Sequence, residues 1–140
     1  MPQIPMTSTL KAVEQSLDLR VRRHKLLIGN LANLNTAGYK ASDLQFEGEL
    51  KQAMGKGDSL PLRKTHLNHI GLANSLDDPV EGKVVATPMP SGRGDGNTVD
   101  IDYQMSHLLQ NQLLYTAGIQ AMRRMFRQIE YAIDQAGATR

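Results

Sequence analysis

Two histidines and a glycine-rich tract are the residues of this 140-residue chain whose types and spacing could do chemistry. His66 and His69 lie three apart, with His24 and His107 elsewhere, and imidazoles are common metal ligands. No acidic residue stands beside them at a metal-motif spacing, and Asp77-Asp78 falls in a turn. A structural or solvated His pair is the commoner arrangement, so no metal site is assigned. The tract Ser91-Gly92-Arg93-Gly94-Asp95-Gly96-Asn97 has the glycines of a phosphate loop, but no Gly-Lys-Ser/Thr follows, and it reads as a loop. Its Arg93-Gly94-Asp95 spells an integrin-like tripeptide, which in a chain of this composition reads as coincidence. No Ser, Thr or Lys nucleophile has a base arranged beside it in sequence. The absence of Cys excludes a disulfide framework and thiolate metal sites. The expectation is a chain with no catalytic, cofactor or metal residues and no small-molecule substrate.

Basic side chains are the next candidates. Arg20, Arg22, Arg23, His24 and Lys25 cluster near the N-terminus, and Arg123, Arg124 and Arg127 near the C-terminus. Helices dense in Arg can contact phosphates, which makes a nucleic-acid-binding helical protein the competing function. Against it, net charge is only +2, aromatics are 4% of residues, and Glu14, Asp18, Glu130 and Asp134 share the same segments. A solvated or intersubunit charged surface is the reading adopted, with no nucleic-acid partner. No apolar run is long enough to span a membrane. The opening residues lack a basic segment followed by an apolar one, so no cleavable signal is visible.

The elements that would position these residues are helical at both ends and irregular between. Leu10, Val13, Leu17, Val21, Leu27, Ile28, Leu31 and Leu34 recur at three- and four-residue steps, which predicts a helix from about Thr9 to Leu34. Asn35-Thr36-Ala37-Gly38-Tyr39 ends it with turn chemistry. Ser42 with Gln45 has the form of a capping box, and Phe46, Leu50 and Met54 share a face, predicting a short helix from Asp43 to Met54. Lys83-Val84-Val85-Ala86-Thr87 reads as a short strand, with a hairpin as one way to pair it.

The last segment has the clearest period. With Asp102 as N-cap, Met105, Gln112, Ile119, Phe126 and Ile133 alternate with Leu108, Tyr115, Met122, Ile129 and Ala136. Nine of these ten are apolar or aromatic at four- and three-residue spacing, a coiled-coil signature. A helix from Tyr103 to Ala136 would be roughly 50 Å long and marginal alone, so it needs the N-terminal helix or neighbouring subunits as partner. The fold expected is mainly α: long N- and C-terminal helices paired antiparallel, a short helix, and a partly β middle. Residues 1–40 and 100–140 would form the polymerising helical core and 41–99 a small middle segment. Both helices are expected to be largely disordered before assembly.

The string Asn30-Leu31-Ala32-Asn33-Leu34-Asn35-Thr36-Ala37-Gly38-Tyr39-Lys40 resembles the signature of the bacterial flagellar rod and hook family. The small proximal-rod type within it is similar at Thr65, His69 and Ile70, and at Gly96-Asn97-Thr98-Val99-Asp100-Ile101-Asp102 leading to Met105, Asn111 and Tyr115. Ala37 stands where that family usually has Pro, and Gln104 where an acidic residue is common. The first loosens the turn and the second removes one salt bridge. The resemblance implies a structural subunit exported by the type III route without a cleavable signal. It also implies a periplasmic place in the basal body, near the inner membrane. Implied partners are copies of itself, other rod proteins (FlgC and FlgF types), the adaptor FliE, the export gate and the inner-membrane ring. Another small rod protein, of FlgC type, is the alternative within the family.

Overall fold

The computed structural model describes residues 6–54, 79–87 and 94–138. Thr65, His66, His69, Asp77, Asp78 and residues 91–93 lie outside them, so the expectations placed there carry no structural account. In chain order the elements are α1 (Met6–Ala32), β1 (Ser42–Gln45), α2 (Glu47–Ala53), β2 (Lys83–Ala86) and α3 (Ile101–Ala138). The protein is mainly helical, with long terminal helices and a two-stranded antiparallel sheet between them in sequence.

The two long helices run antiparallel. Asn30 of α1 meets Gln104 of α3, Arg20 meets Asn111, and Leu17 meets Gly118, so numbers fall on one helix as they rise on the other. At ~1.5 Å per residue α1 is about 40 Å long and α3 about 57 Å, so the C-terminal turns of α3 run on past the start of α1. Asp100, rather than Asp102, caps α3: its Oδ1 accepts from the Asp102 and Tyr103 amides at 2.9 and 3.2 Å. Asp102 instead lies in the first turn.

The short helix expected from Asp43 begins four residues later. Ser42–Gln45 is a strand, and no capping box forms. Leu44 and Phe46 are buried at 1% exposure while Gln45 between them faces solvent, and Asp43 is buried on the other side of Leu44. Asp43, which could have served a helix start, gives its carboxylate to Arg23 of α1. The partner is β2, paired Ser42↔Ala86 through Gln45↔Lys83, so the predicted second strand exists but closes a long-range ladder. α2 then starts at Glu47 with Glu47 and Glu49 in its first turn, where the helix dipole favours acids.

The small core lies where this unit meets α1. Leu19, Leu44 and Phe46 are its buried members, flanked by Leu26, Leu50 and Val80. Gly82 turns the chain toward β2 at φ +69°, and a β-carbon there would come within 3.1 Å of Phe46 Cβ. Thus α1 has two occupied faces. One is laid on α3 and the other on the β1–α2 unit.

Candidate assembly interface

The C-terminal end of α1 is a closed polar junction built from the residues of the flagellar-type string. Asn30 is fully buried and uses its whole amide: Nδ2 donates to Ser42 O at 2.7 Å and to Gln104 Oε1 at 3.0 Å. Its Oδ1 accepts from the Ser42 amide at 3.2 Å and from the Tyr39 hydroxyl at 3.4 Å. Asn33 Nδ2 donates to Gly29 O, and the Thr36 hydroxyl donates to Asn33 Oδ1. Gly38 takes φ +73° and donates its amide to Asp95 O, a conformation that favours glycine. Ala32 is exposed.

The second string closes the junction from the other side. Asn97, 1% exposed, points Nδ2 at three carbonyls, Asn33 O, Leu34 O and Thr36 O, at 3.0, 2.8 and 2.9 Å. All three lie in the turn that follows α1, where Asn33 O and Thr36 O also accept from the Thr36 and Tyr39 amides. Its Oδ1 accepts from the amide of buried Val99, and Thr98 accepts from Ala41. Asp100 follows as the cap of α3. One short segment therefore ends α1 and starts α3.

An ionic contact ties α1 to β1. Arg23 holds Asp43 in a two-pronged pair at 2.7 and 2.6 Å and reaches Glu47 at 3.3 Å. The hydrogen bond to Asp43 raises the Arg23 pKa further above its ordinary value, so its charge persists at any pH a cell reaches. The Arg23 Nη2 also lies 3.4 Å from His107 Nδ1, whose ring leans on Tyr103. Arg20 is the contrasting case, since burial lowers its pKa, and its guanidinium sits 5.5 Å over the Phe46 ring.

Along the helix pair, the seam inside the chain is one residue out of phase with the expected one. Gln104 and Asn111 are buried, and Gly118 is in contact range of Leu17. Leu108, Tyr115, Met122 and Ile129 are half-buried, so this half of the expected heptad faces α1 apart from exposed Ala136, while Ile119 of the other half and Met125 beside the seam are also half-buried. In its other half, Met105, Phe126 and Ile133 are 42%, 49% and 64% exposed. On α1, Leu27 is buried, Leu10, Val13, Leu17, Leu31 and Leu34 are half-buried, and Val21 and Ile28 are exposed. The residues taken by the seam instead are polar or small. Asn111 Nδ2 donates to Arg20 O at 2.9 Å, a carbonyl in mid-helix.

This polar seam leaves groups unsatisfied. Gln104 Nε2, Asn111 Oδ1 and Arg20 Nη1 are buried without a hydrogen-bond partner among the described residues. Each such group costs about 1–3 kcal/mol, while a polar residue in a helix seam fixes its register. Sequence reasoning missed Gln104, Gly118, Leu19 and the Arg23–Asp43 pair. Leu19 belongs to a second apolar face of α1 that a one-stripe reading hides. Among the described residues no cluster of three metal-ligating side chains occurs, and no helix is long and apolar enough to cross a membrane.

A scan against protein-family models finds no match. Curated relatives do match over most of their length. The chain is 34% identical over 119 residues to the flagellar basal body rod protein FlgB of Salmonella typhimurium, covering 81% of this chain and 84% of that one. It is 34% identical over 122 residues to FlgB of Escherichia coli, covering 84% and 86%. To FlgB of Bacillus subtilis it is 28% identical over 124 residues, covering 89% and 92%. With 34% identity carried over more than four fifths of both chains, the chain belongs to the FlgB family of flagellar basal body rod proteins.

Proposed function

We propose that this chain polymerises through its terminal helices, residues 1–40 and 100–140, as a structural subunit of the proximal flagellar rod. There it would link the export gate and inner-membrane ring to the rest of the rod. The observation that carries this reading is the second heptad stripe of α3, apolar, coiled-coil in spacing, and exposed at Met105, Phe126 and Ile133. A free surface of that kind marks a protein contact. The partners proposed are copies of itself, FlgC- and FlgF-type rod proteins, and the adaptor FliE. The place proposed is the periplasmic rod near the inner membrane. The nucleic-acid alternative loses support because Arg23 is committed to Asp43 and Arg22 donates to Glu81 O.

An in-frame deletion in the source organism tests this, scored by swimming and by electron microscopy of basal bodies. Loss of rods and hooks, restored by the intact gene, is expected. Intact rods in the deletion strain would overturn the reading.

A further inference from the structure

Asp95-Gly96, in the glycine-rich tract, is the only place in the sequence where glycine follows an Asp or Asn. At such a pair the glycine nitrogen can attack the preceding carboxyl carbon. The ring that closes is five-membered, and glycine brings no side chain to crowd the approach.

The fold leaves this pair within reach of water. Gly94 and Asp95 are exposed and Gly96 is half-buried. Asp95 Oδ1 accepts from the Asn97 amide at 3.0 Å, which bends the carboxyl group forward over the Gly96 peptide unit. The same N–H would stabilise negative charge gathering on that oxygen during attack. Gly96 sits at φ +71°, and the space a β-carbon would take there is open apart from Gly38 Cα at 3.8 Å. The pair is also where the loop is tied to the α1–α3 junction. Asp95 O accepts from the Gly38 amide at 2.9 Å and Gly96 O from Lys40 Nζ at 2.8 Å. Asn97, the next residue, holds the three carbonyls of the turn after α1.

We propose that Asp95 is a self-modifying site: it converts slowly to isoaspartate in the folded chain, and the conversion loosens the α1–α3 junction. The Gly96 nitrogen bonds to Asp95 Cγ, and one carboxyl oxygen leaves as water, taking the amide proton and one from solvent. Water then adds to the former main-chain carbonyl carbon of the cyclic imide and breaks its bond to the Gly96 nitrogen. No oxidant or reductant enters, and mass and charge end unchanged. The chain now runs through Cβ and Cγ, one backbone atom longer. The carbonyl that held the Gly38 amide has become part of a free carboxylate. Gly96 O and Asn97, both placed by the original peptide bond, shift against Lys40 and the end of α1. The chemistry needs only the folded chain and is independent of the rod reading.

The intact chain would be held in warm, near-neutral buffer for several weeks beside a synthetic peptide of residues 92–98. Isoaspartate is counted by methylation with an isoaspartyl methyltransferase and located by electron-transfer fragmentation. The expected result is isoaspartate at position 95 of the folded chain, formed at least as fast as in the peptide and several-fold faster than at any other Asp. Thermal melts of the aged chain should show a lower-melting component whose share matches the isoaspartyl share. Asp95→Glu, whose carboxyl could close only a larger ring, should stay free of both. Asp95→Asn, losing ammonia in place of water, should reach the same isoaspartate several-fold faster. A folded chain left unmodified while the peptide isomerises would overturn the inference. So would isoaspartate at 95 with an unchanged melt, an aged Asp95→Glu chain that melts like the aged native one, or no gain in rate for Asp95→Asn.

Discussion

A β-carbon added at Gly118 would lie 2.9 Å from Cδ2 of Leu17, so α3 meets α1 there with only a hydrogen in the space a side chain would need. The obstructing atom is the tip of a flexible side chain. Gly118→Ala should therefore be nearly neutral, its helix-propensity gain of up to ~1 kcal/mol offsetting the small shift of Leu17. Gly118→Leu should destabilise by about 1–3 kcal/mol, and adding Leu17→Ala should recover part of that loss. Urea unfolding of the three variants checks the coupling, and additive effects would argue against this contact.

Asn97 holds the end of α1 through three carbonyls at once. Asn97→Ala should cost about 1–3 kcal/mol, since three turn carbonyls lose a shared donor and the buried site loses its side chain. Asn97→Asp should be worse, because a carboxylate would face those three oxygens. Thermal melts of both variants give the order.

The Arg23–Asp43 pair is mostly buried, with side-chain exposures of 13% and 12%. Arg23→Met should cost about 2–4 kcal/mol by leaving the Asp43 carboxylate uncompensated. Arg23→Lys should recover only part, having the charge without the planar fork. The sign with pH follows from the raised Arg23 pKa: its contribution is complete below the ordinary Arg value and fades only as pH rises through the still higher folded one. Between pH 6 and 9 (roughly the range of a practical melt), the Arg23→Met deficit should thus show no change from Arg23 titration.

Met122 and Phe126 separate folding from assembly. Met122 is half-buried on the α1 side and Phe126 is 49% exposed. Met122→Asp should lower the melting temperature of the isolated chain and abolish rods. Phe126→Asp should leave the melt unchanged and still abolish rods. Swimming by the Phe126→Asp strain would count against an assembly role for the outer stripe.

Partial order before assembly is the revised expectation for the helices. α1 gives α3 a partner over most of its length, whereas the terminal turns from about residue 128 onward are almost wholly exposed. Brief trypsin treatment should cut after Arg127, at the edge of those turns, before it cuts after Arg20 and Arg23. Equal early cleavage at all of them would indicate that the helix pair is open throughout in the monomer.

The sequence by itself determined that both ends are long helices, because an apolar residue every three or four positions needs no knowledge of the partner. It also marked the α1 terminus, since Gly38 and the flanking Asn residues are local turn chemistry. Ser42–Gln45 was not legible, because four residues suit a capped helix or a strand equally until β2 supplies a ladder. Nor was the phase of the α1–α3 seam. Hydrophobicity favours burying Met105, Phe126 and Ile133, yet the structure buries Gln104 and Asn111 and sets Gly118 against Leu17. Periodicity reports how wide an apolar surface is, not which edge of it faces home. That choice depends on Asn30 reaching Gln104, Asn111 reaching the Arg20 carbonyl, and Gly118 admitting Leu17. Those contacts join residues 74, 91 and about a hundred positions apart, and only the folded chain brings them together.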